Sequence, residues 1–137
     1  MIVADTGAVV ALLDRDDRYH KVLRGAFEED PDGWALPWAI LPEVDYIASW
    51  RLGSKVARAF REDLASGAFA VEWGGGEDLV RALELDRQYA GLALGLVDGV
   101  VMAMAERLGA EAIATLDLRD FGPVELKGRP KLWPRDL

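Results

Sequence analysis

Asp5, Glu43, Asp98 and Asp117 are carboxylates set into apolar surroundings: MIVADTG, AILPEVDYIA, VDGVVMAMAERL and EAIATLD. An ionised carboxylate at the tip of a buried strand is costly unless a positive charge pairs with it. No Lys or Arg adjoins Asp5, Glu43 or Asp98 in the sequence. Convergence of the four around divalent cations is an economical way to offset that charge. Hard cations such as Mg²⁺ take oxygen ligands, and ions held this way run phosphodiester hydrolysis. Each acid also has a plainer role open to it. Asp5 or Thr6 can cap a following helix. Glu43 can favour a helix macrodipole from the first turn. Asp98 can be an N-cap, and Asp117 a turn residue in DLRDFG. Asp120, in the same turn, rivals Asp117 for the fourth position or caps the turn before Phe121. Asp45, two residues from Glu43, points elsewhere on a helix and reads as a surface or supporting residue.

Other chemistries find little to work with. The chain has no cysteine, so it offers no thiolate nucleophile or disulfide, and its single histidine, His20, argues against a zinc hydrolase site. His20 lies in RYHKV on an amphipathic pattern and reads as a surface residue. No Walker or Rossmann glycine pattern is present. The run GGG at 74–76 is followed by Glu77 and Asp78, which would repel a phosphate, and reads as a flexible turn.

The acids need elements to position them. IVAD reads as a short buried strand that runs directly into a helix, TGAVVALLD. A second helix is expected after Asp16–Asp17, through YHKVLRGAFEE, broken by the turn DPDG. WALP is the next strand. The segment from Trp38 to Trp50 is an apolar helix, with Pro42 tolerable only near its first turn. LGS ends it and caps the next helix, KVARAFREDLAS. A strand, AFAVEW, is followed by a turn and helix, GGGEDLVRALELDRQYA. Asp98 to Leu108 is another helix, stopped by Gly109. The strand AIAT, the turn DLRDFG and a terminal strand around LWP complete the order. Strands alternating with helices predict a parallel sheet covered on both faces, a three-layer α/β/α sandwich. Sites in such sheets form beyond the carboxyl ends of the strands. Asp5 and Asp117 fall at two strand ends, and Glu43 and Asp98 near two helix starts, so all four can face one edge.

The bulk composition fits one domain over residues 1–137. Hydrophobic residues make up 51% and charged residues 29%, as expected for a water-soluble globular chain. The opening lacks a basic n-region and no stretch is long enough to span a membrane, which makes the cytoplasm the expected compartment. Net charge is −8, from 24 acids and 16 bases, which taken alone argues against a nucleic-acid binder. The distribution is uneven, however. Residues 72–86 hold Glu72, Glu77, Asp78, Glu84 and Asp86 against Arg81. Residues 124–137 hold Lys127, Arg129, Lys131 and Arg135 against Glu125 and Asp136. The tail KGRPKLWPR is the better candidate for a phosphate-contacting rim. Arg51, Lys55 and Arg58 follow i, i+4, i+7 spacing, but Gly53 and Ser54 interrupt any helix between them, and they read as a solvated face.

The order of these motifs resembles the PIN-domain nucleases, in particular the toxin subunits of VapBC pairs. IVADTGAVVALLDRDDRYH is similar to that family's first strand and helix, AILPEVDYI to the segment with its second acid, and LVDGVVMAMAERLGAEAIATLDLRDF to that with its third and fourth. DTGA at one end and ATLDLRDF at the other carry most of the specificity. Gly7 stands where the family often has Ser. The resemblance implies a PIN-like fold and a Mg²⁺- or Mn²⁺-dependent ribonuclease. Asp5, Glu43 and Asp98 would bind metal, with Asp117 as a ligand or support, and Thr6 and Thr115 would orient ligands. It also implies an RNA substrate, a homodimer and an antitoxin partner with a basic side chain that enters the acidic site. Two other readings remain open: a PIN-like binding or scaffold module with little or no nuclease activity, and a different Mg²⁺ phosphohydrolase. The second often needs an Asp two residues after the strand-end Asp, where this chain has Gly7.

Overall fold

The computed structural model describes residues 1–137. Five parallel strands form one sheet in the order β3-β2-β1-β4-β5. These are β1 (Ile2–Ala4), β2 (Trp34–Pro37), β3 (Val71–Glu72), β4 (Ala112–Ala114) and β5 (Lys131–Trp133). Seven helices connect and cover them: α1 (Thr6–Leu13), α2 (His20–Glu29), α3 (Leu41–Ile47), α4 (Ser54–Ser66), α5 (Gly76–Gln88), α6 (Leu96–Arg107) and α7 (Leu118–Phe121). The expected α/β architecture with a parallel sheet is therefore present.

Burial follows the residue pattern. Every residue of β1, β2 and β4 is buried, as expected for strands covered on both faces. Helix α1 buries Thr6, Ala8, Val9, Val10, Ala11 and Leu12, and α6 buries everything from Gly99 to Ala105. Helices apolar all round are the ones a core encloses. Gly99 permits the close approach of α6 to α5, since a Cβ there would lie 2.8 Å from Ala82 Cβ. The aromatic residues Phe27, Trp34, Phe60 and Phe69 form a contiguous cluster, with ring centroids 5.3–5.9 Å apart.

Several boundaries differ from the sequence expectation. The Trp38–Trp50 segment is not one helix. It is a 3₁₀ turn (Trp38–Ile40), then α3, then a π-helical turn (Ala48–Leu52). Pro42 lies at the second position of α3, where its missing N–H costs nothing. Helix α2 starts at His20 because Asp17 is spent on a turn, its carboxylate accepting from the Tyr19 amide at 2.8 Å. The AFAVEW strand shrinks to Val71–Glu72, and DLRDFG forms the short helix α7 rather than a plain turn. The break at Gly53 is present: it has φ of +98°, and α4 begins at Ser54. No helix is long and apolar enough to cross a membrane.

The topology explains where a site can form. The chain leaves β1 toward β2 and β3, then returns to add β4 and β5 on the other side of β1. Strands β1 and β4 are paired neighbours, with Ala4 opposite Ala114. The order of connection reverses between them, which opens a crevice beyond their carboxyl ends. Asp5 directly follows β1, and Thr115 to Asp117 directly follow β4.

Candidate metal centre

Asp5 leaves β1 with its amide bonded to Ala114 O at 2.8 Å, so the two strand ends are tied together. Its position is the N-cap of α1, yet its side chain makes no capping bond. The carboxylate instead accepts from the Thr115 hydroxyl at Oδ2, 2.9 Å away, and it is only 6% exposed. Burial raises its pKa to about 6. The Thr6 amide and Thr115 hydroxyl pull the other way, while nearby Asp117 and Glu43 add to the rise.

Asp98 is not the N-cap of its helix. Gly95 holds that position, and Asp98 falls in the first turn of α6. Its carboxyl rises to about 7, first from burial and then from the charges of Asp5, Asp117 and Asp120, with a hydrogen bond to Asp120 adding to it. Asp117 does cap α7, accepting the Asp120 amide at Oδ1, 3.2 Å away. Its own amide donates to Thr115 Oγ1 at 3.1 Å. Thr115 therefore bridges the acid after β1 to the acid after β4.

Asp98, Asp117 and Asp120 each place a carboxylate oxygen within 4.8 Å of the others. Asp117 and Asp120 are thus not rivals for one position, since the structure brings both to it. The signal for this was their i, i+3 spacing, which puts the N-cap and third residue of a short helix side by side. Glu43 lies in the first turn of α3 and reaches the group through Thr6, whose hydroxyl donates to Glu43 Oε1 at 2.7 Å. Thr6 and Thr115 thus each donate to one of the acids. Asp45 faces away and forms an ion pair with Arg61 at 2.6 Å. His20 bonds through Nδ1 to Ala11 O and stands apart from the acids.

None of Asp5, Glu43, Asp98, Asp117 or Asp120 forms a salt bridge. Close carboxylates without a base hold protons at higher pH than usual, or they hold a cation. An all-oxygen donor set fits a hard divalent ion such as Mg²⁺ or Mn²⁺. Beside the acids, Tyr19, Val22, Thr115, Leu116, Leu118 and Arg135 line a cavity of about 380 Å³. Gly7 is not required by packing, since a Cβ there would make ordinary 3.8 Å contact with Leu116.

The chain thus sets three close carboxylates at the switch point of a five-stranded parallel sheet. Its sequence goes further: it matches the PIN domain over residues 2–124, and the chain belongs to that family. Among its relatives is the ribonuclease VapC26 of Mycobacterium tuberculosis, 25% identical over 120 residues, which are 88% of this chain and 89% of that protein. The fold is also that of VapC20 from the same organism, a toxin that cleaves the sarcin-ricin loop, with a TM-score of 0.76, 21% identity and coverage of 93% of this chain and 99% of that one. The DNA-bound VapBC of Salmonella typhimurium gives a TM-score of 0.74 at 17% identity, covering 96% and 95% of the two chains.

Proposed function

We propose that this protein is a divalent-cation-dependent endoribonuclease and the toxin of a toxin–antitoxin pair. The observation that carries the reading is the cluster of Asp98, Asp117 and Asp120, with Asp5 coupled to it and Glu43 coupled to Asp5, and no base paired with any of them. The ribonuclease relative of similar length supports RNA as the substrate.

Asp5, Glu43, Asp98 and Asp117 would hold Mg²⁺ or Mn²⁺, with Asp120 beside them. When bound, the cation supplies Lewis acidity and makes water acidic enough to attack phosphorus near neutral pH. The protein's own groups set the stage for this. Thr115 donates to Asp5 Oδ2 and so fixes the orientation of that carboxylate. Thr6 does the same for Glu43. Asp98, raised by burial and by the neighbouring acids, lies beside Asp117 and Asp120 as a further carboxylate for the cation. The strand ends tied by Asp5 N–H to Ala114 fix these groups before substrate arrives, which limits reorganisation during the reaction. Hydrolysis breaks one P–O ester bond and leaves one fragment ending in phosphate and one in hydroxyl.

The partners follow from the same reading. An antitoxin would deliver a basic side chain to the acids, supplying the positive charge they lack. A second copy of the chain would cover Leu79, Val80 and Leu83 of α5 with Leu96, an exposed aliphatic group typical of a protein contact. The test of activity is direct. Purified protein with Mg²⁺ or Mn²⁺ should cleave members of a broad RNA panel, and EDTA should stop it. A folded protein inert with either metal on every RNA would favour a binding module instead.

A further inference from the structure

Helix α3 carries more than Glu43. Tyr46 and Trp50 follow it at i+3 and i+7, which places all three on one side of α3 and its π-helical continuation. Tyr46 is 72% exposed and Trp50 78% exposed. The other sides of this helix are occupied. Val44 and Ala48 enter the core, and Asp45 and Ser49 receive Arg61 of α4 at 2.6 and 3.3 Å. The aromatic side is therefore held outward by contacts behind it, and it begins at a residue of the acid centre. By helix rise, Trp50 lies on the order of 10 Å along the axis from Glu43.

Cations follow these rings along the chain. Arg51, Lys55 and Arg58 are exposed, and none of them makes a salt bridge, whereas Arg61 on the same helix as Lys55 and Arg58 is paired. Protein interfaces also enrich Tyr, Trp and Arg, but they deplete Lys and exclude charge from their cores; here unpaired Lys55 and two unpaired arginines accompany the rings, and the aliphatic surface of α5 is the more apolar face. Exposed rings interleaved with free cations are instead what single-stranded nucleic acid uses: bases stack on aromatic faces while Lys and Arg meet phosphates.

We propose that Tyr46 and Trp50 form a stacking platform for bases of a single-stranded RNA on one side of the scissile phosphate, with Arg51, Lys55 and Arg58 contacting the neighbouring phosphates. This rests on the ribonuclease reading above. It gives a chain of net charge −8 a local cationic surface for a polyanion, in Arg51, Lys55 and Arg58. Stacking is indifferent to base identity, so the platform supplies affinity and register, not a sequence code.

The test uses the full chain, Mn²⁺ and a single-stranded RNA that the wild type cleaves. Trp50→Ala and Tyr46→Ala should each raise KM about tenfold, within the range of losing one base–aromatic stack, with kcat changed less than threefold. Trp50→Phe should restore most of the loss. The pair Arg51→Ala with Lys55→Ala should raise KM and flatten its dependence on salt. Binding of the same RNA to an Asp98→Asn protein should weaken in parallel when Trp50→Ala is added, a readout independent of cleavage. Both rings are exposed, so unchanged melting temperatures should accompany these effects. A wild type that cleaves RNA while Trp50→Ala and Tyr46→Ala keep its KM would overturn the platform and leave the nuclease reading intact. Unchanged KM with loss of self-association or of antitoxin binding would make this face a protein contact instead, and also overturns it. A wild type that neither cleaves nor binds RNA removes the reading on which the platform rests.

Discussion

Helix α6 touches two groups of acids, and they are opposites. At its first turn, Asp98 meets Asp117 and Asp120, with Asp5 close enough to raise its pKa, and no base reaches any of them. At its last turn, Glu106 and Arg107 sit in a network of alternating sign. Arg107 binds Asp78 through Nε and Nη2 at 2.9 and 3.1 Å and also reaches Glu72 at 3.3 Å. Arg81 forks onto Glu106 at 2.7 and 3.1 Å and takes Glu84 at 3.1 Å. Titration follows the difference. Asp98 is pushed up to about 7. Burial also acts to raise Glu106, but Arg81 and the Lys127 amide more than reverse it and hold the carboxyl below its ordinary range. Both ends bury acids. Only one end supplies their counter-charge from within the chain. The network at the far end joins β3, α5 and α6 into one body, whereas no base of the chain ties the acids at the first turn.

The largest way to break this comparison is to remove charge from the uncompensated end. Asp98→Asn should lower RNA cleavage on the order of a hundredfold or more, beyond the usual loss for a group that merely orients a ligand. The same substitution should raise the metal-free melting temperature, because it relieves repulsion among the acids. It should also abolish most of the melting increase that Mn²⁺ gives the wild type. That increase arises because the ion binds only the folded arrangement, by about 2.7 kcal/mol at a concentration a hundred times Kd. Thermal scans of both proteins with EDTA or Mn²⁺ read all of this. Equal metal-induced shifts in the two proteins would remove Asp98 from the site.

The compensated end should respond with the opposite sign. Arg107→Ala leaves Asp78, 2% exposed, without its partner. Breaking a buried pair from one side costs about 3–5 kcal/mol. The melting temperature should fall by roughly 10 °C or more, while the Mn²⁺-induced gain of the remaining folded protein persists. A stability loss under about 1 kcal/mol would mean that the network is a solvated surface feature.

Acidity separates the two ends next. In the metal-free chain Asp5 and Asp98 keep their protons to about 6 and 7, against 3.8 for an ordinary aspartate. Between those values the folded state binds more protons than the unfolded state, so stability falls as pH rises from about 4 to about 7 and levels off above. Glu106, lowered in the fold, contributes stability that is present above its ordinary value and lost on acidification. Melting scans in EDTA from pH 5 to pH 8 should therefore decline. Asp98→Asn should remove much of the decline, and saturating Mn²⁺ should reverse it, since the ion displaces protons more readily as pH rises. A wild-type profile in EDTA that is flat across this range would contradict the coupling of the acids.

The sheet and the acid positions were legible because an apolar run that ends in a lone acid fits a buried strand with a carboxylate at its tip and little else. IVAD and AIATLD carried both the buried strands and the strand-end carboxylates. Less legible was the company each acid keeps. Residues 72–86 read as an excess of five acids over Arg81, yet Glu72, Asp78 and Glu84 are partners of Arg107 and Arg81. Arg107 is twenty-nine residues from Asp78, a pairing that depends on how α5 packs on α6 and leaves no local trace. The bend within residues 38–52 was hidden for a related reason. A π-helical turn adds a residue where tertiary packing demands it, and the apolar pattern reads the same with or without it.

The smallest expected effect concerns the hydroxyls that aim the acids. Thr6 donates to Glu43 from α1, and the two residues are thirty-seven apart in sequence. Thr6→Val keeps the branched shape and the methyl group but leaves the Glu43 oxygen without its donor. The fold should tolerate this, because Glu43 is exposed enough for water to replace the bond. Its orientation, however, should loosen. Loss of an orienting partner typically lowers metal affinity or activity about 10- to 100-fold. Thr6→Val should therefore shift the Mn²⁺ concentration for half-maximal cleavage upward by about tenfold, with the melting temperature in EDTA nearly unchanged. Thr6→Ser, which retains the donor, should recover most of that shift. If Thr6→Val and Thr6→Ser behave alike in the Mn²⁺ titration, the bond is incidental, and Glu43 takes its position from the first turn of α3 alone.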